Sequence, residues 1–345
     1  MSAQPVTVRA MQAEDDARWD AFVFACPEAT FFHRAGWRQV IERAFGHRTH
    51  YLLAQRGDAI VGVLPLTEVD SRLFGHSLVS NVFCVYGGIV AQDAAARTAL
   101  DNAAQQLARE LQVGHLEYRQ RTPFHADWPS QDLYFTFRKA IEPEVEANLL
   151  AIPRKQRAMV RKGIKNALVV DIDANVERFF KLFADNVKRH GTPALPKRYF
   201  ALLKEIFGAD CEVLTVLHQG RVVSSVLTFY FRDEVLPYYA GDTEDARSLA
   251  ANDFKYWELM RRGCERGYKL FDYGRSKRGT GQFDFKKNWG FKPQALHYEY
   301  FLVNAPCVPQ HNPTNPKYRL FIAMWKHLPT PVANALGPYI VKHLG

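Results

Sequence analysis

Gly274-Arg275-Ser276-Lys277-Arg278-Gly279-Thr280-Gly281, continuing after Gln282 into Phe283-Asp284-Phe285-Lys286-Lys287-Asn288-Trp289-Gly290-Phe291, follows the strand-like Leu270-Phe271-Asp272-Tyr273. Glycines and small hydroxyls just after a strand let backbone N–H groups approach an anion, and the Arg and Lys side chains supply charge. The order matches neither GxxxxGK[ST] nor GxGxxG. The competing expectation is that Phe283, Phe285, Trp289 and Phe291 form a core stripe carrying a basic loop. Upstream, the periodicity predicts helices over Asn175–His190 and Lys197–Phe207, a hairpin from Glu212 through Gln219-Gly220 to Phe231, a strand Val235–Ala240 and a helix Asn252–Arg266. A strand at Leu296–Val303 completes an α/β module over 142–303.

The stretch 1–141 repeats that order, with a helix around Trp37–Ile41, strands at Tyr51–Ala54 and Ile60–Leu64, and a bend at Tyr86-Gly87-Gly88. A helix over Asp93–Leu111 and strands at His115–Tyr118 and Leu133–Phe137 follow. Two tandem α/β modules with mixed, largely antiparallel sheets are the expected architecture. In 304–345 prolines interrupt short aromatic and aliphatic helical pieces, so this stretch is read as an appendage.

A chain of 345 residues with 47% hydrophobic content has enough apolar material for two cores. No apolar run reaches the roughly 20 residues of a spanning helix, so the expected location is the cytoplasm. The five cysteines are too scattered for a CxxC metal pair or a disulfide framework, and no metal site is expected. The net charge of +9 favours anionic partners. It is concentrated in Arg154, Lys155, Arg157, Arg161, Lys162 and Lys165, with no intervening acid; Arg154, Arg157, Arg161 and Lys165 share one helix face. Such a row is expected to meet a diphosphate or a nucleic-acid backbone, or else to be a solvated face with Met159, Val160 and Ile164 turned inward.

The strings GRSKRGTGQFDFKKNWGF and IPRKQRAMVRKGIKNAL, with FFHRAGWRQVIERAFG, IVGVLPL, VYGG, HGTPALPKRYF and YYAGD, resemble the FemAB-like proteins associated with PEP-CTERM and exosortase systems. The resemblance covers nearly the whole chain. It implies tandem acetyltransferase-like (GNAT) domains and a peptidyltransferase-type enzyme that forms an amide on an amine, with aminoacyl-tRNA or acyl-CoA as donor substrate and no permanently bound cofactor. It further implies a nucleotide- or lipid-linked saccharide or peptide acceptor, as in envelope or exopolysaccharide assembly. By motif position Lys286 matches the family's lysine, Arg157 and Arg161 its basic inter-domain helix, and Tyr238 and Tyr239 its acceptor-bordering strand. Two departures matter. The long helical hairpin of some members has no counterpart, and the acetyltransferase Q/RxxGxG/A pyrophosphate turn is replaced by the acidic Asp242–Leu249, which disfavours acyl-CoA.

Direct attack without a covalent intermediate is the expected chemistry. Lys286 would be a cationic oxyanion stabiliser, Tyr239 and Tyr238 would orient donor and proton, and Asp272 and Asp284 are candidate bases. Arg154, Arg157, Arg161, Arg275, Lys277, Arg278, Gly279 and Gly281 would bind the anionic substrate. His33, His47, His190 and His218 have no recognisable partners and are read as surface or structural, and Cys84 as a buried thiol. A non-catalytic factor binding anionic polysaccharide in the same basic cleft is the competing class. The segment 304–345 has no Asp or Glu but has Lys317, Arg319, Lys326 and Lys342 among aromatics, which suits either peripheral contact with an inner membrane or docking on the second module.

Overall fold

The computed structural model describes residues 4–71, 74–308 and 316–343, and the side chains of 316–321 lie outside that description. Elements of the first unit, which runs up to Tyr134 and is rejoined from Ala295, are β1 (Val6–Ala10), α1 (Asp16–Ala25), α2 (Gly36–Phe45), β2 (Arg48–Thr49), β3 (Leu52–Arg56), β4 (Ala59–Leu64), β5 (Leu66–Ser71), β6 (Gly75–Ser80), β7 (Val90–Ala91), α3 (Ala94–Glu110), β8 (His115–Gln120) and β9 (Ser130–Gln131). Asp93 caps α3 by accepting from the Ala96 amide at 2.9 Å. Ala96, Leu100, Ala104 and Ala108, four residues apart, then face the core that contains Leu52, Ala54 and Leu64. The strands form two sheets, one ordered β1-β3-β4-β7 and the other built around β2-β5-β6-β8.

The second unit comprises Phe135–Gln294 and the two C-terminal helices. In chain order come β10 (Tyr134–Ala140), α4 (Val145–Ala151), α5 (Arg154–Lys165), β11 (Val169–Asp173), α6 (Glu177–Arg189), α7 (Lys197–Phe207), β12 (Cys211–His218), β13 (Arg221–Phe231), β14 (Glu234–Asp242), α8 (Ala246–Leu249), α9 (Ala251–Glu265), β15 (Leu270–Asp272), β16 (Ser276–Lys277), α10 (Gly281–Asn288) and β17 (Pro293–Ala295), then β18 (His297–Leu302) of the first unit, and finally α11 (Pro316–His327) and α12 (Thr330–Val341). The sheet runs β11-β12-β13-β14-β15-β10-β16, with β17 beside β10. The β12–β13 hairpin turns at Gln219 and Gly220, both at positive φ (50° and 76°), as a tight two-residue connection demands.

Two strands join the opposite unit from the one expected. The strand read at Leu133–Phe137 is β10, which pairs with β15 in register Arg138↔Asp272. Arg138 explains the choice, because it reaches Asp272 at 3.1 Å and also bonds Glu234. The strand read at Leu296–Val303 is β18, which lies between β8 and β9 in the first unit's sheet. Its Glu299 is buried there and accepts from the Phe124 amide at 2.6 Å and from Gln120 at 3.1 Å. These are pairings made across more than 100 residues, which local periodicity does not encode.

No helix among the described residues is long and apolar enough to cross a membrane. None of the five cysteines is in a disulfide; Cys26, Cys84 and Cys211 are buried, Cys264 is partly buried and Cys307 is exposed.

Candidate functional site

β14 and β15 run parallel but pair only at Glu234↔Leu270 and Val235↔Phe271. Past that point they diverge. On its other edge β14 stays paired to β13 as far as Asp242, with a bulge where Leu227 faces Tyr239 and Thr228 faces Pro237. Tyr238 is the extra residue. Because backbone groups alternate sides along a strand, every second residue of Leu236–Gly241 directs its N–H and C=O into the gap that β15 leaves. A bulge beside such a gap re-aims those groups.

A cavity of about 280 Å³ opens at this edge, lined by Phe183, Asn186, Val187, His190, Thr192, Tyr238, Tyr239, Ala240 and Gln282. α6 supplies one wall, β14 the other, and the start of α10 the rim. The Tyr239 hydroxyl lies 3.0 Å from that of buried Tyr199. Its ring meets Phe183, Phe200 and Tyr238 edge-on at centroid distances of 5.9, 5.2 and 4.7 Å. The lining combines aromatic faces with neutral hydrogen-bonding groups and carries no Asp, Glu, Lys or Arg among the described residues. Tyr238 and Tyr239, expected to border an acceptor, line this cavity. His190, read as structural or surface, is on the wall; His190 and Thr192 fall within the string HGTPALPKRYF and Gln282 within GRSKRGTGQFDFKKNWGF, but the sequence alone gives none of them, nor Asn186, a site role.

Lys286 is buried, on α10, and does not line the cavity. Its ammonium donates to three backbone carbonyls just beyond β15: Tyr273 at 2.7 Å, Gly274 at 3.0 Å and Arg275 at 3.2 Å. An ammonium has three hydrogens, so in this geometry all are engaged by the loop. Burial lowers its pKa to about 7, with the Asp272 carboxylate opposing the shift. Asp272, read as a candidate base, accepts from the Gly274 amide at 2.7 Å and from Thr136 at 3.2 Å and pairs with Arg138. Thr280 caps α10, accepting from Phe283 N and donating to Lys277 O at 2.7 Å. Phe283, Trp289 and Phe291 are buried in the core of the second unit, while Arg275, Arg278, Gly279, Gly281 and Asp284 are exposed and Lys277 half-buried. The aromatic stripe is therefore core, and the basic loop is the solvent-facing part.

On α5, Val160 and Gly163 are buried. Arg154, Arg161 and Lys165 are exposed and Arg157 half-buried, donating to Leu150 O at 3.1 Å. Ile164, expected inward, is 51% exposed. None of these cations lines the cavity. α5 packs on α9, and Asn166 at its end donates to Leu249 O at 3.0 Å, which sets the helix beside the turn Asp242–Leu249. The acidity of that turn is largely compensated. Asp242 accepts from fully buried Lys255 at 2.9 Å and from Ser224. Asp245 accepts from Arg221 and from Thr243 at 2.5 Å, and these bonds hold its carboxyl below the usual range. The expected repulsion of a pyrophosphate loses most of its basis.

Residues 153–287 match the family model described as an acetyltransferase (GNAT) domain. No curated protein sequence matches the chain. The crystal structure of FemX aligns with a TM-score of 0.69 at 14% identity, covering 92% of this chain and 100% of that one. The C-terminal domain of a protein assigned as a lysylphosphatidylglycerol synthetase from Agrobacterium fabrum aligns at 0.59 and 13%, covering 84% and 92%. A tandem GNAT protein from the clavulanic acid biosynthesis pathway aligns at 0.55 and 11%, covering 88% and 100%. The architecture is accordingly that of tandem GNAT-fold proteins, and the candidate site lies in the unit that the acetyltransferase model covers.

Proposed function

We propose that the second unit is an acyltransferase site that moves an acyl or aminoacyl group from an anionic carrier onto an uncharged amine of a saccharide or peptide acceptor. The observation that carries this reading is the divergence of β14 from β15 beside the Tyr238 bulge, opening onto an aromatic cavity whose described lining holds no Asp, Glu, Lys or Arg, within an acetyltransferase-type domain.

The amine nitrogen attacks the acyl carbonyl carbon and the C–N bond forms as the carbonyl oxygen takes the negative charge. Collapse breaks the bond to the carrier, C–S for a coenzyme A thioester or C–O for an aminoacyl ester. The proton released by the amine passes to the departing sulfur or oxygen. Backbone N–H groups on the open edge of β14 suit oxyanion stabilisation. The Tyr199–Tyr239 hydroxyl pair suits proton relay. Aromatic walls with Asn186, His190, Thr192 and Gln282 suit a sugar or peptide carrying a neutral amine. The free cations of α5, beside the turn Asp242–Leu249, would take the carrier's phosphates, with Arg275, Lys277 and Arg278 as a second basic group. Lys286 acts through the loop it holds and is a positioning residue.

Pairing of Asp242 and Asp245 removes an objection to acyl-CoA as donor, and the acetyltransferase model over 153–287 supports it, whereas the FemAB-like resemblance favours aminoacyl-tRNA and an envelope or exopolysaccharide acceptor handled in the cytoplasm. A panel of acyl-CoAs and aminoacyl-tRNAs, each offered with amino sugars and short peptides and followed by mass spectrometry, separates these donors. Acylated product from at least one donor is expected. Saturable binding of anionic polysaccharide with no product from any donor would favour the non-catalytic binding factor.

A further inference from the structure

α11 and α12 dock on the second unit along α6. Lys188 Nζ donates to Thr330 Oγ1 at 3.3 Å, and Trp325, Ala333 and Gly337 are buried. The approach is close: a Cβ on Gly337 would sit 3.0 Å from Ala194 O, and one on Gly191 would sit 2.4 Å from Ile322 Cγ2. This intramolecular contact occupies one face of α12 only. On the other face Val332, Leu336 and Tyr339, at i, i+4 and i+7, are 42%, 47% and 72% exposed, and Met324 of α11 is 64% exposed. Four of the large apolar side chains that the chain leaves in water thus gather on one helical hairpin.

The surroundings indicate what covers them. The stretch 304–345 contains no Asp or Glu and includes Lys317, Arg319, Lys326 and Lys342, while α12 itself has no charged residue. A second copy of the hairpin would bring like charges together across a two-fold interface, which opposes self-association. An apolar row on a stretch that is cationic and carries no acidic residue complements an anionic bilayer surface, where the row enters the acyl boundary and Lys and Arg meet lipid phosphates. With 12 residues, α12 lies on such a surface and does not span it.

We infer that the outer face of the α11–α12 hairpin is a docking site for an anionic phospholipid membrane. The hairpin leans on α6 and the turn after it, whose Asn186, His190 and Thr192 wall the cavity, so docking sets that wall near the lipid headgroups. If the acyl-transfer reading holds, on which this last step alone rests, the acceptor amine belongs to a lipid-linked molecule.

Sedimentation of the full chain with vesicles tests the docking without reference to activity. The protein is expected to sediment with phosphatidylcholine–phosphatidylglycerol vesicles, weakly with phosphatidylcholine alone, and less as salt rises. The double variant Leu336→Glu, Tyr339→Glu should lose at least about tenfold in vesicle affinity. Both side chains are exposed, so its melting temperature should match wild type; Lys326→Glu, also exposed, gives an independent and smaller loss. Undiminished vesicle binding by these variants, or a dimer that the double variant dissociates, would overturn the proposal. Transfer to a water-soluble amine should be unchanged in the double variant, so a failure of docking and a failure of the acyl-transfer reading are distinguishable.

Discussion

The Lys286 ammonium lies 2.7 Å from the carbonyl oxygen of Tyr273, the first residue after β15. Beyond Phe271 the strand has no pairing with β14, so the carbonyls of 273–275 lack a ladder partner on that side. A lysine side chain from α10 supplies the donors that a strand would have supplied. The open edge of β14 thus coexists with a fixed loop opposite it, which a reaction cleft requires.

Lys286→Met should take the donor from the buried carbonyls of Tyr273 and Gly274 and the part-buried carbonyl of Arg275, at about 1 to 3 kcal/mol for each that water fails to reach. Urea denaturation is expected to show a clear loss of stability at pH 7. The pH dependence adds a sign. The native pKa is about 7 against 10.5 for the model side chain, so between those values the unfolded state holds a proton that the native state has released. Wild type should therefore gain stability relative to Lys286→Met as pH rises from 7 toward 10. A constant difference would refute the buried, depressed ammonium.

The first unit carries a group of opposite sign. His125 bonds Asp101 at 3.1 Å and Glu299 at 3.2 Å and stacks on Trp128 at 3.5 Å. Burial works against its charge, but the bonds to Asp101 and Glu299 prevail and raise its pKa to about 9. Its stabilisation is complete below the unfolded value near 6.5 and is lost as pH climbs through 9. His125→Gln should cost up to about 3 kcal/mol at pH 6 and progressively less by pH 10. A cost independent of pH would show that packing on Trp128, and not charge, is what the ring contributes.

Tyr239→Phe removes the hydroxyl that faces Tyr199 but keeps the ring among Phe183 and Phe200. Turnover should fall by about 10-fold to 100-fold with the melting temperature nearly unchanged, because proton relay is lost and packing is not. Retention of wild-type kcat would remove the tyrosine pair from the chemistry.

Replacing Arg161, Lys162 and Lys165 together by Ala should raise the donor KM about tenfold at low salt and leave kcat little altered. The gap between variant and wild type should narrow at high salt. A salt-independent change would point to disturbed packing of α5 on α9.

Much of the second unit was legible because its elements are local. The Gln219-Gly220 turn and the α9 periodicity are each written in a few adjacent residues. β10 and β18 were not assignable in this way, since Arg138 with Asp272 and Glu299 with His125 are partners only once folded. The same holds for the site. Tyr238 and Tyr239 stood out as a pair on a strand, but Asn186, His190 and Gln282 come together from two helices. The acidity of Asp242–Leu249 misled as plain text, because Lys255 and Arg221 reach it from elsewhere.

Filling the cavity is the most direct test of the central claim. Asn186→Trp puts an indole into the space between β14 and α6 from the half-buried face of α6, and Gln282→Trp does so from the exposed start of α10. With the best donor and acceptor from the panel, both variants should keep a cooperative melt near that of wild type and lose at least about 100-fold in kcat/KM. Wild-type turnover in folded Asn186→Trp and Gln282→Trp proteins would contradict the assignment of this cavity as the place of acyl transfer.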